Sequence, residues 1–284
     1  MRRGHNGTAY HGGLGLVGAA FDHRTSREGD PQWHTHVLVQ NATLGPDGRW
    51  TALDSKRLYA HAMTADRLYH ATLRAELTER LDVRWRDVDP RTGAAEIDGL
   101  HDPALLQAFS KRRAQVIAQQ AEWGRQASAP ASRRPGHPQA QARPRARGDL
   151  LPVGARSLAE HGIGPAELAA TMRGGRAQAR ARADDDPTAL LDWLAGPDGL
   201  TAQASTFARR DVLDALAKRL PLVGTAAKTL QRLERLANDY LASERAVPVT
   251  IDQGLDEQRW STPELPAAMP RSAKRVCMPM RKVS

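Results

Sequence analysis

Phe21-Asp22-His23-Arg24-Thr25-Ser26-Arg27-Glu28-Gly29-Asp30-Pro31-Gln32-Trp33-His34-Thr35-His36 is the stretch on which the reading of this chain turns. It holds three of the ten histidines within fourteen residues. Trp33 to Val39 is rich in apolar and β-branched residues and predicts a strand. Side chains two apart on a strand share a face, so His34 and His36 look the same way. Leu16 to His23 predicts a second strand, and the turn formers Gly29, Asp30 and Pro31 lie between the two. A hairpin of these strands brings His23 beside His34 and His36. Three neutral imidazoles on one face are the donor set of a divalent metal site with open positions. A lone strand histidine more often sits at a surface or in a satisfied core; the third histidine at hairpin distance is what points to metal.

The rest of the chain bounds the reading. With 284 residues there is room for one or two domains, and 40% apolar residues suffice for a core. A single cysteine, Cys277, excludes a disulfide framework and suggests a reducing compartment. No run of about 18 apolar residues occurs, so no membrane-spanning helix is expected. Arg2 and Arg3 are not followed by a continuous apolar stretch, which argues against a signal peptide. The formal charge of +9 invites a nucleic-acid reading, but its distribution weakens it. Trp123 to Gly148 contains six Arg and no acid, and Leu265 to Ser284 five Lys or Arg and no acid. Setting those eleven aside leaves 30 basic against 32 acidic residues. A case for DNA must therefore come from the site and not from the net charge.

Outward from the histidines, Asp54 or Ser55 caps a helix on which Leu58, Ala62, Ala65, Tyr69, Leu73 and Leu77 form an apolar stripe. Val83–Trp85 and Ala95–Ile97 are short strand candidates around the turn Asp89-Pro90-Arg91-Thr92-Gly93. Asp102 and Pro103 have the character of N-cap and first position of another helix, carrying Leu105, Leu106, Phe109 and Val116 to about Trp123. Residues 124–155 are rich in Pro, Arg and Ala and have no period; we read them as a disordered basic linker. Helical patterning returns at Ser157–His161, Pro165–Met172, Pro187–Leu194, Thr206–Leu220 and Ala226–Ser243, and Val247–Ile251 predicts a strand. The last helix gathers Leu230, Leu233, Ala237, Tyr240 and Leu241 on one side. Residues 266–284 have no period and read as an unstructured tail.

Two motifs fail on context. Gly13-Leu-Gly15-Leu-Val-Gly18 fits a dinucleotide fingerprint, but no strand precedes it and a strand follows where a helix should open. Leu222-Val-Gly224-Thr-Ala-Ala-Lys228-Thr229 has Leu and Ala where a phosphate loop needs glycines, and reads as a helix start. His34-Thr-His36 with Gln40 is close to a cupin metal motif, although that motif wants Glu at the position of Gln40 and a downstream histidine.

Taken together, His23-Arg-Thr-Ser-Arg27, Asp30-Pro-Gln-Trp-His-Thr-His36 and Val37-Leu-Val-Gln-Asn41 resemble the metal-binding core of the conjugative relaxases of the TrwC/TraI (MobF) class. Asp47-Gly-Arg-Trp50, Leu68-Tyr69, Leu73-Arg-Ala-Glu-Leu77 and Phe109-Ser-Lys-Arg-Arg113 follow in the same order. This likeness spans about residues 1–122. Leu200-Thr201, Ser205-Thr-Phe-Ala-Arg-Arg-Asp-Val-Leu213, Leu241-Ala-Ser243 and Trp260-Ser-Thr-Pro-Glu264 resemble the segment that leads into the family's helicase domain.

The resemblance implies an α+β fold: part of an HUH-type antiparallel sheet with flanking helices in residues 1–123, then a mainly helical pre-helicase segment in 156–265. It implies that His23, His34 and His36 ligate a divalent metal, magnesium or manganese first and zinc as a further candidate. It implies single-stranded DNA at a transfer origin as partner, with conjugation accessory proteins beside it, and a bacterial cytoplasmic location. The family cuts one DNA strand when a tyrosine hydroxyl attacks the scissile phosphate. Tyr10, Tyr59 and Tyr69 do not match the family's nucleophilic positions, and neither the nucleophile nor a helicase phosphate loop is found. The expectation is therefore an internal relaxase fragment that keeps the three-histidine site and does not nick DNA alone. A noncatalytic DNA-binding product and a cupin-type metal enzyme are the competing readings.

Overall fold

The hairpin expected from the histidine stretch is formed by β3 (Gly18–Thr25) and β4 (Pro31–Val39), paired antiparallel. The structure is a computed structural model. It describes residues 2–3, 9–10, 12–26, 30–111, 114–115, 117–118, 147–183, 186–252 and 257–263. Before the hairpin lie β1 (Arg2–Arg3) and β2 (Ala9–Tyr10), and after it β5 (Thr43–Leu44) and β6 (Trp50–Thr51). The helices that follow are α1 (Ser55–Leu81), α2 (Pro103–Ala108), α3 (Arg147–Glu160), α4 (Pro165–Thr171), α5 (Gly175–Ala183) and α6 (Thr188–Ala195). Then come β7 (Phe207–Ala208), α7 (Arg209–Arg219), α8 (Ala226–Ala242), β8 (Val247–Asp252) and β9 (Glu257–Ser261). Every sheet among the described residues is antiparallel: three are two-stranded, and the fourth runs in the order β7-β9-β8. The class is α+β, as the sequence predicts.

The chain forms two compact units that are discontinuous in sequence. One comprises residues 12–52 and 99–171 and contains the hairpin. The other comprises residues 1–11, 53–98 and 172–284.

In the second unit α1 packs on α5, α7 and α8. Leu194, Phe207, Val212, Leu216, Leu233 and Tyr240 form its centre, with the Phe207 and Tyr240 rings 6.2 Å apart. Asp54 caps α1, its carboxylate accepting from the Lys56 N–H at 3.2 Å. The buried face of α1 is not the expected one. Tyr69 and Leu58 stay exposed, while Thr64, Arg67, Ala71, Arg74, Ala75 and Thr78 are buried. Two arginines displace the apolar stripe because backbone carbonyls await them. Arg74 donates to Gly93 and to Ala217, and Arg67 to Arg91. Their aliphatic stems supply the packing.

Other expected elements change their limits, and some fall outside the described residues. Val83–Trp85 and Ala95–Ile97 shrink to one bridge, Trp85 to Ile97, around a turn in which the Gly93 N–H reaches the Asp89 carbonyl at 2.7 Å. Gly93 takes a φ of 69°, which glycine adopts without steric cost. The helix from Asp102 breaks after Ala108, at Phe109 and Ser110, and the described residues 111, 114–115 and 117–118 are again helical; the rest of the span to Trp123 lies outside the described residues. The expected linker also lies outside them as far as Ala146, but from Arg147 the chain is helical, with Pro152 inside α3. The expected tail lies outside them altogether. Thr225 caps α8 through the Lys228 N–H, so the weak phosphate-loop echo is a helix start.

Helix α5 was not expected, since Gly-Arg-Ala-Gln-Ala-Arg-Ala-Arg-Ala offers no apolar period. Its N-terminus is fixed from afar. The Asp82 carboxylate accepts from the N–H groups of Gly174 at 2.9 Å and Arg176 at 2.7 Å. No helix among the described residues is long and apolar enough to cross a membrane.

Candidate metal centre

Directly opposed residues on an antiparallel pair share a face. His23 opposes His34 and Phe21 opposes His36, so all three imidazoles project from one side of the hairpin. Their ring centroids stand 5.4 Å (His23 to His34), 4.6 Å (His23 to His36) and 5.0 Å (His34 to His36) apart. One ring nitrogen from each can be chosen so that all three lie within 4.8 Å of one another. His34 is half-buried, and His23 and His36 are exposed.

The ring of His34 is oriented. Its Nδ1 lies 3.1 Å from the Gln32 carbonyl oxygen. A carbonyl only accepts, so the neutral ring carries its proton on Nδ1 and leaves Nε2 as a lone pair. That Nε2 lies 3.2 Å from the Nε2 of His36. Nitrogens that share a first-row cation at about 2.0–2.2 Å are separated by roughly 3–3.5 Å, so this edge already has the length of a coordination edge. Three neutral nitrogens on an open surface are chemically able to hold a divalent cation and leave positions for oxygen ligands.

The opposite face of the hairpin has different chemistry. The Thr35 hydroxyl donates to Asp22 at 2.7 Å, and the Arg24 guanidinium lies 5.4 Å from the centre of the Trp33 ring. At the turn end the Ser26 N–H donates to the Asp30 carbonyl at 2.9 Å and the Asp30 N–H to the Ser26 hydroxyl at 3.2 Å. Asp30 is 3% exposed, and its carboxylate accepts a hydrogen bond from the Ser26 hydroxyl at 3.3 Å and pairs with the Lys111 ammonium at 3.1 Å.

Thus the hairpin brings together the three histidines named from sequence. Sequence reasoning passed over Gln32, which acts through its backbone, and the Asp22–Thr35 and Asp30–Lys111 pairs. The side chains of the first pair alternate with the histidines, a signal that a strand pattern contains. Lys111 lies far away in sequence and gives none.

A family model described as TrwC relaxase matches residues 1–149. The multifunctional conjugation protein TraI of Escherichia coli is 33% identical over 104 residues, which is 34% of this chain and 6% of TraI. The chain therefore spans only a small part of that relative's length. Among solved structures, the conjugative relaxase TrwC in complex with oriT DNA in metal-free form is 28% identical. It covers 52% of each chain with a TM-score of 0.40. The metal-bound form of that complex is 29% identical over 52% of this chain and 51% of TrwC, with a TM-score of 0.39.

Proposed function

The chain belongs to the TrwC relaxase family, and from that premise we propose that its hairpin is the phosphate-binding half of a conjugative DNA relaxase centre. The partner is single-stranded DNA at a transfer origin, in keeping with the oriT complexes of TrwC. His23, His34 and His36 would hold a divalent cation, with magnesium or manganese first and zinc as the alternative. One observation carries this reading: three imidazoles converge on one face, with His34 and His36 already at 3.2 Å. When bound, the cation supplies charge that draws a non-bridging phosphate oxygen and prepares the group for in-line attack. The chain's own residues do the positioning. Each ring contributes one neutral nitrogen, which leaves the charge available to phosphate, and the Gln32 carbonyl keeps the His34 lone pair turned inward.

The chain by itself would bind the phosphate and leave the phosphodiester intact. Tyr10, Tyr59 and Tyr69 do not match the nucleophilic positions that the family resemblance implies. Tyr240 is fully buried, and burial pushes its hydroxyl up to about 12, the opposite of an activated nucleophile.

Calorimetric titration of the full chain with Mn²⁺ and Zn²⁺, beside His34→Ala and His36→Ala, tests the site. Binding in the parent chain that is lost in both variants is the expected result; equal affinity in all three removes the assignment. An origin oligonucleotide tests the second point. It should remain uncut, and a covalent tyrosyl adduct formed by this chain would refute it.

A further inference from the structure

The two ends of the hairpin are out of step by one residue. From Gly18 with Val39 to His23 with His34 the strands pair one to one, yet beyond them Thr25 opposes Pro31. Two residues on β3 therefore span three on β4, and Gln32 and Trp33 together oppose Arg24. This is a β-bulge, which takes a residue out of the ladder and re-aims its neighbours. The turn-end register is the one fixed by Ser26 and Asp30, whose backbones pair at 2.9 Å and whose side chains bond each other. Lys111 completes the lock on the buried Asp30 carboxylate.

Gln32 lies inside the bulge, and its carbonyl faces the His34 Nδ1. Were the turn to adopt the register of the histidine pair, Gln32 would oppose Thr25 and rejoin the ladder. We infer that the Ser26–Asp30–Lys111 lock is a positioning device for the metal centre: it holds the bulge open so that the Gln32 carbonyl fixes His34 with Nε2 toward His36. Asp30 and Lys111 act through the backbone and touch neither cation nor phosphate. The consequence for metal affinity rests on the reading of the three histidines as ligands; the consequence for the His34 ring does not.

Nitrogen-15 NMR of the histidine side chains, on the full metal-free chain at alkaline pH, reads the tautomer directly. In the parent chain His34 should carry its proton on Nδ1. In Asp30→Asn, which keeps the side-chain volume, and in Lys111→Ala it should shift toward the Nε2–H form, with Lys111→Arg restoring the parent state. Manganese affinity, titrated on the same samples, should fall ten- to a hundredfold in the first two variants, the range for loss of an outer-shell partner, and recover in the third. An unchanged His34 tautomer in Asp30→Asn and in Lys111→Ala overturns the inference whatever the metal does. A tautomer that responds as expected in chains that bind no manganese upholds the lock and refutes the metal reading instead.

Discussion

Asp22 and Thr35 meet on the face of the hairpin that the histidines leave free, the threonine hydroxyl donating to the carboxylate at 2.7 Å. They are opposed in the same register as His23 and His34. A slip of one residue would turn one strand's histidines to the other side, because the side-chain period of a strand is two. This pair and the turn lock thus hold the strands from both ends of the bulge.

Thr35→Val keeps shape and strand preference and removes the bond. It should weaken the hairpin by about 0.5–1 kcal/mol. Amide hydrogen exchange across Gly18–His23 should then quicken by roughly two- to fivefold, since 1.4 kcal/mol is a factor of ten. Unchanged exchange would show that the bond does not hold the register.

Arg74 is buried, and its guanidinium serves the Gly93 and Ala217 carbonyls. Arg74→Met preserves the stem and leaves two carbonyls without that donor. The expected loss is roughly 2–6 kcal/mol, at ~1–3 kcal/mol for each buried acceptor left unpaired, read by urea unfolding. Arg74→Lys should recover only part of it, because one ammonium does not reproduce the fork.

These arginines also mark the limit of what the chain reveals before folding. Strands β3 and β4 were legible because their signals are local: alternation, β-branching and a turn between. The α1 helix was legible in extent, from Asp54 onward, but not in orientation. Its apolar stripe at Leu58, Tyr69 and Leu73 is exposed, while Arg67 and Arg74 face the core. Periodicity counts hydrophobicity and does not register carbonyls arriving from Gly93 or Ala217. Helix α5 escaped notice for a related reason, its cap being an aspartate 92 residues before Gly174. At the candidate metal site the histidines were local and legible. The Gln32 carbonyl and Lys111 were not, since one depends on a bulge and the other on tertiary approach.

Tyr240 is fully buried, and its hydroxyl has no partner among the described residues. Removing an unpaired buried hydroxyl costs nothing in hydrogen bonding and relieves a desolvation penalty. Tyr240→Phe should therefore be neutral or stabilise the chain by up to about 1 kcal/mol in urea unfolding. A marked loss of stability would reveal a partner for that hydroxyl.

Asp82 sits at the head of α5 in a left-handed conformation with φ of 55°. The Arg176 N–H and then the Gly174 N–H hold its carboxyl below the usual 3.8. A depressed carboxyl favours the folded state when ionised, so its contribution is complete above the ordinary value and vanishes as pH falls through the lowered one. Asp82→Asn tolerates the same backbone and cannot ionise. Its melting temperature should fall less steeply than the parent's as pH is lowered from 5 toward 2; parallel curves would argue against the cap.

The compact unit without the hairpin closes through contacts between distant residues: Thr64 with Arg210 are 146 positions apart, and Glu76 with Ala226 are 150. At a synthesis rate of roughly 5–20 residues per second, α1 leaves the ribosome some 7–30 s before the helices it rests on. During that interval Arg67 and Arg74 would lack the core that later buries them. Their charge then keeps the waiting helix hydrated, and the face destined for the interior is the one least prone to nonspecific association.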